Sequence, residues 1–349
     1  MKRFWRLFKW RGLMKGINIP NFIKDNNLPE VGNKIVVAMS GGVDSSVTAA
    51  LLKNIGYDVI GVTMKLYEGA SKNNTKTCCS GIDIADARNV AKKLGIKHYI
   101  IDYKKKFKEN VIDKFVSSYL EGNTPIPCIL CNQTVKFTDL INFSKALKSN
   151  ILATGHYVKR LENGEDINLY QADDGLKDQS YFLFATTQDQ LKTLRFPLGS
   201  FSKNYIRELA IKYGLSNAKK PDSQDICFIP DGNYRDFVKK KDKNSFAVGD
   251  IINLEGEIIG RHQGIINYTI GQRKGIGIGG LKGNKENSPF YVIKIDKTTN
   301  QITVGPKSKL KRYSIYLKEL NFFTNKQMRY EFDALIKIRS GQRLISAKV

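Results

Sequence analysis

The sequence predicts an α/β protein: a parallel sheet covered by helices, followed by a smaller, largely β region. Three observations carry that prediction. From Asn33 onward, aliphatic runs of strand length alternate with amphipathic helical segments. The first strand passes straight into a helix through the turn Ser-Gly-Gly-Val-Asp-Ser-Ser. After about Phe228 the alternation stops, and paired strand-like runs around Gly or Asn turns replace it.

Taken in order, Ile35, Val36 and Val37 read as a buried strand, and Val47, Ala50, Leu51 and Leu52 lie at helical spacing after it. Between them, Gly41 and Gly42 let the backbone turn sharply and approach a ligand closely. Ser and Asp then open a helix whose first amides favour an anion, which makes a phosphate cradle. The turn lacks the Lys-Ser/Thr of a Walker A loop and the third glycine of a dinucleotide fingerprint.

Tyr57 to Tyr67 is a second strand; Met64, late in it, either flanks an adenine or fills the core. Ile84, Ala87, Ala91 and Leu94 share one helical face, Lys97 to Asp102 is a third strand, and Phe107, Val111 and Phe115 mark another helix. A Pro-rich turn precedes a helix expected from Gln133 to Lys148, and Asn150 to Tyr157 returns as a strand. Ligands belong at the carboxyl ends of such strands. Further on, Asn233 to Lys241 suggests a short helix, while 247–264 and 290–305 read as hairpins. The glycine-rich Ile270 to Gly280 follows no βα unit and reads as a flexible basic loop.

The 349 residues suggest two or three domains. Lys and Arg exceed Asp and Glu by 57 to 33, a net charge of +24, which points to RNA or DNA as partner, although Lys-rich compositional drift offers a blander account. No apolar run reaches membrane-span length, so no membrane partner is expected. The basic, aromatic leader, residues 1–32, is given no function.

Five cysteines, Cys78, Cys79, Cys128, Cys131 and Cys227, are few and odd in number, which suggests a reducing, cytoplasmic setting and reactive thiols. A zinc site is disfavoured: adjacent Cys78 and Cys79 cannot easily aim at one ion, and no second Cys-x-x-Cys pairs with Cys128 and Cys131. Cys78 and Cys79 suit inert burial. Cys131 stands just before the expected helix, where a helix N-terminus would lower its pKa and favour thiolate.

The pattern Ser40 to Ser46 resembles the PP-loop of the N-type ATP pyrophosphatases. Together with "TPIPCILCN", "ATGHY", "KDQSYFLF", "DSQDICFI" and "YTIGQRKGIGIGG", in that order, it resembles the tRNA-specific 2-thiouridylase family from about Asn33 to the end. The resemblance implies a PP-loop catalytic domain (33–228), a small central domain (229–285) and a C-terminal β-barrel (286–349), incomplete where the chain stops at "LISAKV". It implies ATP, with Mg²⁺ and no tightly bound protein-ligated metal, and sulfur placed on C2 of the wobble uridine of tRNA. A cysteine desulfurase or sulfur-relay protein would be the donor.

By position, the ATP contacts implied are Ala38, Met39, Ser40, Gly41, Gly42, Val43, Asp44, Ser45, Met64 and Gly155. Cys227 matches the persulfide carrier and Cys131 the nucleophile, with a transient disulfide between them. The tRNA contacts implied are Ile126, Pro127, Cys128, His156, Lys177, Asp178, Gln179, Arg339 and Ser340. Relatives often carry Asp at the position of Cys128, which leaves that acid–base role unassigned and makes Cys128 a spare or resolving thiol. Competing readings are a 2-thiocytidine-type enzyme holding an iron–sulfur cluster and a PP-loop small-molecule ligase.

Overall fold

Strand β1 (Lys34–Ala38) is the centre of the parallel sheet, with Ile35, Val36 and Val37 wholly buried. The structure, a computed structural model, describes residues 16–67, 81–222, 226–229, 232–241, 247–278, 289–323 and 331–349. Cys78, Cys79, the first fifteen residues of the leader and most of the expected 285/286 boundary region lie outside them.

β2 (Asp58–Lys65) and β3 (Lys97–Asp102) extend the sheet on one side; β4 (Leu152–Ala153) and β7 (Leu194–Arg195) extend it on the other. The resulting five-stranded order is β3-β2-β1-β4-β7, parallel throughout. A parallel sheet needs helical crossovers and burial of both faces, which is why its central strands are continuous aliphatic runs. Helix α2 (Val43–Ile55) follows β1, and α3 (Gly81–Leu94) buries Ala87, Val90 and Ala91. Strands β5 (Lys159–Asn163) and β6 (Asp166–Tyr170) form a separate hairpin.

Part of the leader belongs to this core. Helix α1 (Ile19–Asp25) is capped by Asn18, carries Pro20 in its first turn, and stacks Phe22 on Phe201 at 6.0 Å. Tyr57 Oη donates to Pro29 O at 2.7 Å, and Arg195 Nε donates to Asn27 O at 2.6 Å. Its alternation of Ile and Phe with polar residues is a packing face that composition alone hid.

The next helix begins earlier than expected. Helix α4 runs from Pro127–Leu130 through a π-helical stretch, Cys131–Asp139, into Leu140–Ala146. Pro127 is a favourable first residue because its ring presets φ and its missing N–H is not needed there. Helices α5 (Gln188–Thr193) and α6 (Lys203–Lys212) are capped by Thr187 and Ser202.

The chain divides into two compact units, Met1–Lys108 with Cys128–Phe228 and Asn321–Val349, and Glu109–Pro127 with Ile229–Leu320. In the second, Tyr119 of helix Asp113–Leu120 stacks on Tyr234 of helix Tyr234–Lys241, centroids 4.5 Å apart. Its four-stranded sheet, β10-β11-β8-β9, is built from the two hairpins β8 (Gly249–Ile252)/β9 (Ile258–His262) and β10 (Tyr291–Asp296)/β11 (Gln301–Gly305). β8 and β11 pair in parallel, so strands from both sides of residue 285 share one sheet. Inter-hairpin pairing leaves no local signature in sequence. β12 (Asp333–Ile336) and β13 (Ile345–Lys348) form a two-stranded ribbon grouped with the first unit. Among the described residues, no helix is long and apolar enough to cross a membrane.

Candidate nucleotide site and its cysteines

The turn after β1 is held by its own hydroxyls. Ser40 N–H donates to Ser45 Oγ at 3.1 Å, while Ser45 Oγ and Ser46 Oγ approach Gly42 O at 3.2 and 2.8 Å. Gly42 is the N-cap of α2, and no side-chain cap takes up the first-turn amides, so they remain available to an anion. Gly41 has φ +78°, and a Cβ there would lie 2.1 Å from Asp83 O. At Gly155, after β4, a Cβ would lie 2.8 Å from Ser45 N. Both glycines are required by close backbone approach.

A cavity of about 440 Å³ opens over this turn, lined by Ala38, Met39, Ser40, Gly42, Val43, Asp44, Ser45, Met64, Gly155, His156 and Lys177 to Gln179, among others. Its volume is in the range of small-molecule and cofactor sites. Of the expected nucleotide contacts, only Gly41 is absent from the lining. Met64 is 5% exposed, so it both packs in the core and walls the cavity.

Sequence reasoning missed the charged frame of this cavity. Lys203 Nζ donates to both oxygens of Asp44, Tyr157 Oη donates to Asp44 Oδ1 at 2.9 Å, and Lys203 also pairs with Asp222 at 2.9 Å. Asp222 further accepts from Lys177 and Arg207, each at 2.7 Å. Burial alone would raise its pKa, yet the hydrogen bonds from Lys177 and Lys203 outweigh that and hold it at about 2. Lys220 bridges Asp83 and Asp86, and Asn217 Nδ2 donates to Gly41 O at 2.9 Å. The only signal available was "KKPDSQDIC", where Lys220 and Asp222 flank a proline shortly before Cys227.

The site therefore holds lysines, Lys177, Lys203 and Lys220, that are ion-paired here with carboxylates, and carboxylates of the kind Mg²⁺ takes, Asp44 and Asp222 among them. Among the described residues, no cluster of His, Cys, Asp and Glu of metal-holding geometry occurs.

His156 makes a 2.9 Å hydrogen bond to Thr154 Oγ1 and meets the edges of Phe137 and Phe196. Burial, helped by the Lys136 charge, lowers its pKa to about 3, so the ring is neutral. Asp178 and Gln179 are engaged locally: Asp178 accepts from Ala172 N and Ser180 Oγ, and Gln179 Oε1 from Tyr157 N. Tyr181 Oη donates to Ile338 O at 2.8 Å, which ties the residue before Arg339 to a tyrosine two positions after Gln179. Ile126 is half-buried, Pro127 buried and Cys128 exposed; none lines the cavity.

The cysteines need one correction. Cys131 does not precede a helix N-terminus; it lies inside α4, where the π-helical stretch starts, and is 4% exposed. Burial pushes its thiol pKa up, against a smaller lowering by Lys136, so the depressed value expected from a helix end is absent. Cys128 is exposed, Cys227 half-buried, and neither they nor Cys131 form a disulfide. Phe228, next to Cys227, packs edge-on against Phe107 at 5.7 Å. The short helix of Phe107, Lys104–Phe107, is tied to the π-helical stretch by Lys106 to Asp139 at 3.0 Å. Neither Cys131 nor Cys227 lines the cavity. In the second unit, residues 311–318 expose Tyr313 (96%) and Tyr316 (97%) among Lys311, Arg312 and Lys318.

A parallel sheet with a glycine-rich anion turn at the end of β1, facing a lysine-framed cavity, defines a nucleotide-binding α/β domain of the PP-loop type. The profile of the tRNA methyl transferase HUP domain matches residues 33–231, and that of the tRNA methyl transferase PRC-barrel domain matches residues 235–306. The tRNA-specific 2-thiouridylase MnmA of Zymomonas mobilis is 50% identical over 321 residues, 92% of this chain and 85% of that protein. The protein of the same name from Orientia tsutsugamushi is 51% identical over 317 residues, 90% and 84% of the two chains. The chain belongs to the tRNA-specific 2-thiouridylase family.

Proposed function

We propose that this protein is an ATP-dependent tRNA-uridine 2-sulfurtransferase acting on the wobble uridine. The observation that carries the reading is an anion turn and lysine-framed cavity at the β1 end, in a chain half identical to 2-thiouridylases.

Uracil C2 is a poor electrophile and its oxygen a poor leaving group. Adenylation of that oxygen, with pyrophosphate released, turns it into a phosphate leaving group. The first-turn amides of α2 and the lysines of the cavity suit stabilisation of the charge that develops. Mg²⁺, when bound near Asp44 and Asp222, would supply charge neutralisation on the phosphates. Ala38, Met64 and Gly155 wall the nucleotide side.

Sulfur then passes from a persulfide on Cys227, loaded by a cysteine desulfurase or relay protein. Either the terminal sulfur attacks C2, or Cys131 first frees it; both routes end in a Cys131–Cys227 disulfide, AMP and 2-thiouridine. Because the Cys131 thiol is buried and its pKa raised, it must lose its proton as the site opens for substrate. A stacked wobble base must be everted to reach such a site. Lys177 with the Arg339–Ser340 turn, and the aromatic-basic stretch 311–318, suit RNA contact.

The test is incubation of tRNA with Mg-ATP, a cysteine desulfurase and cysteine, followed by nucleoside mass spectrometry. Exchange of oxygen for sulfur at the wobble uridine, lost in Cys131→Ser and in Cys227→Ser, is the expected result. Full turnover in either variant removes that thiol from the scheme.

A further inference from the structure

The Cys128–Cys131 pair has a geometry that the scheme above does not use. Both residues lie in α4, three positions apart, with Cys128 in its first turn and exposed and Cys131 buried. Three residues along a helix place Cα atoms about 5 Å apart, inside the range that a disulfide spans. Helix ends fray easily, so the first turn can supply the small adjustment that brings the Cβ atoms together. A thiol in that turn also gains from the helix N-terminus, which favours thiolate. Cys131 and Cys128 lie close enough for the charge of one to raise the pKa of the other.

After each turnover the disulfide would join Cys131, a residue 4% exposed, to the half-buried Cys227, whereas Cys128 is exposed and offers a reductant as bulky as a protein the better target. We propose that Cys128 is the resolving thiol of this enzyme, moving the disulfide from the Cys131–Cys227 pair, which has no exposed member, to the Cys128–Cys131 pair, whose Cys128 is exposed. The Cys128 thiolate attacks Cys131 Sγ; a Cys128–Cys131 bond forms, the Cys131–Cys227 bond breaks, and its electron pair leaves on Cys227 Sγ. Cys227 is thereby returned as a thiolate, ready to be persulfidated again. An external dithiol then reduces Cys128–Cys131, giving up two electrons and two protons and becoming a disulfide itself.

This inference rests on the proposed sulfur transfer, and one experiment separates the two. The full-length protein, persulfidated on Cys227, is given tRNA and Mg-ATP for a single turnover, acid-quenched, alkylated and peptide-mapped by mass spectrometry. Wild type should yield the internal Cys128–Cys131 disulfide, and Cys128→Ser the Cys131–Cys227 cross-link. In the steady state with thioredoxin as reductant, the ratio of multiple-turnover to single-turnover rate should fall at least roughly tenfold in Cys128→Ser. Dithiothreitol, small enough to enter, should restore it. The ratio cancels any loss of tRNA contact at this position. Wild type that forms thiouridine but maps only to Cys131–Cys227, or a variant whose ratio is unaltered, overturns the resolving role alone. Wild type that forms no thiouridine overturns the sulfur-transfer reading with it.

Discussion

Lys203 Nζ lies 2.6 and 2.7 Å from the two carboxylate oxygens of Asp44, the acid of the anion turn, although 159 residues separate them. The lysine side chain is only 8% exposed, and its second partner is Asp222 at 2.9 Å. One buried cation thus neutralises two carboxylates at the mouth of the phosphate cradle.

Replacing that cation with an apolar side chain should leave both acids uncompensated. Lys203→Met is expected to lower unfolding free energy by about 2–4 kcal/mol, less than a fully buried pair because Asp44 and Asp222 retain some solvent. Urea denaturation measures it. Asp222→Asn in the Lys203→Met background should recover part of the loss. A strictly additive double mutant would show that the two residues are not coupled.

The Asp222 carboxyl, held at about 2 against 3.8 when unperturbed, makes an acid-side prediction. Its folded pKa is depressed, so the stability it contributes is present above about pH 4 and disappears as pH falls through about 2. The contribution is about 2 kcal/mol from the size of the shift. Unfolding curves of wild type and Asp222→Asn should therefore differ at pH 5 to 7 and converge toward pH 2. A gap that stays constant to pH 2 contradicts the assignment.

Gly155→Ala would place a Cβ 2.8 Å from Ser45 N and 2.9 Å from Asp44 C, pushing the start of α2 away from β4. ATP affinity should weaken at least roughly tenfold, about 1.4 kcal/mol. Gly175→Ala, with open space around it and no positive φ, is the matched control and should leave affinity unchanged. Isothermal titration with ATP reads both.

With a pKa near 3, His156 stays neutral across the physiological range. Its ring proton resonances should be flat from pH 5 to 8 in NMR spectra assigned with His156→Gln. A midpoint near 6.5 would mean that the ring is solvated and not packed between Phe137 and Phe196.

The described thiols should also differ in reactivity. Iodoacetamide at pH 7.5 should label exposed Cys128 first and buried Cys131 more slowly by roughly tenfold or more, judged by peptide mass spectrometry. Equal labelling would place Cys131 in an open conformation even without substrate.

The sequence by itself determined the parallel sheet and the anion turn. Strand runs, a glycine pair and amphipathic spacing are local patterns, each forced by backbone sterics or by a single buried face. It also carried the order of the cysteine motifs. Tertiary structure alone decided what surrounds them. Lys203, Lys220, Asp222 and Tyr157 meet Asp44 and Asp83 across long stretches of chain, and an ion pair between distant segments leaves no period to read. The burial that raises the Cys131 pKa depends on a helix starting at Pro127, earlier than its polar residues suggest. Residues 17–29 joined the core because burial depends on which distant surface is free to receive a side chain, and only the folded chain settles that.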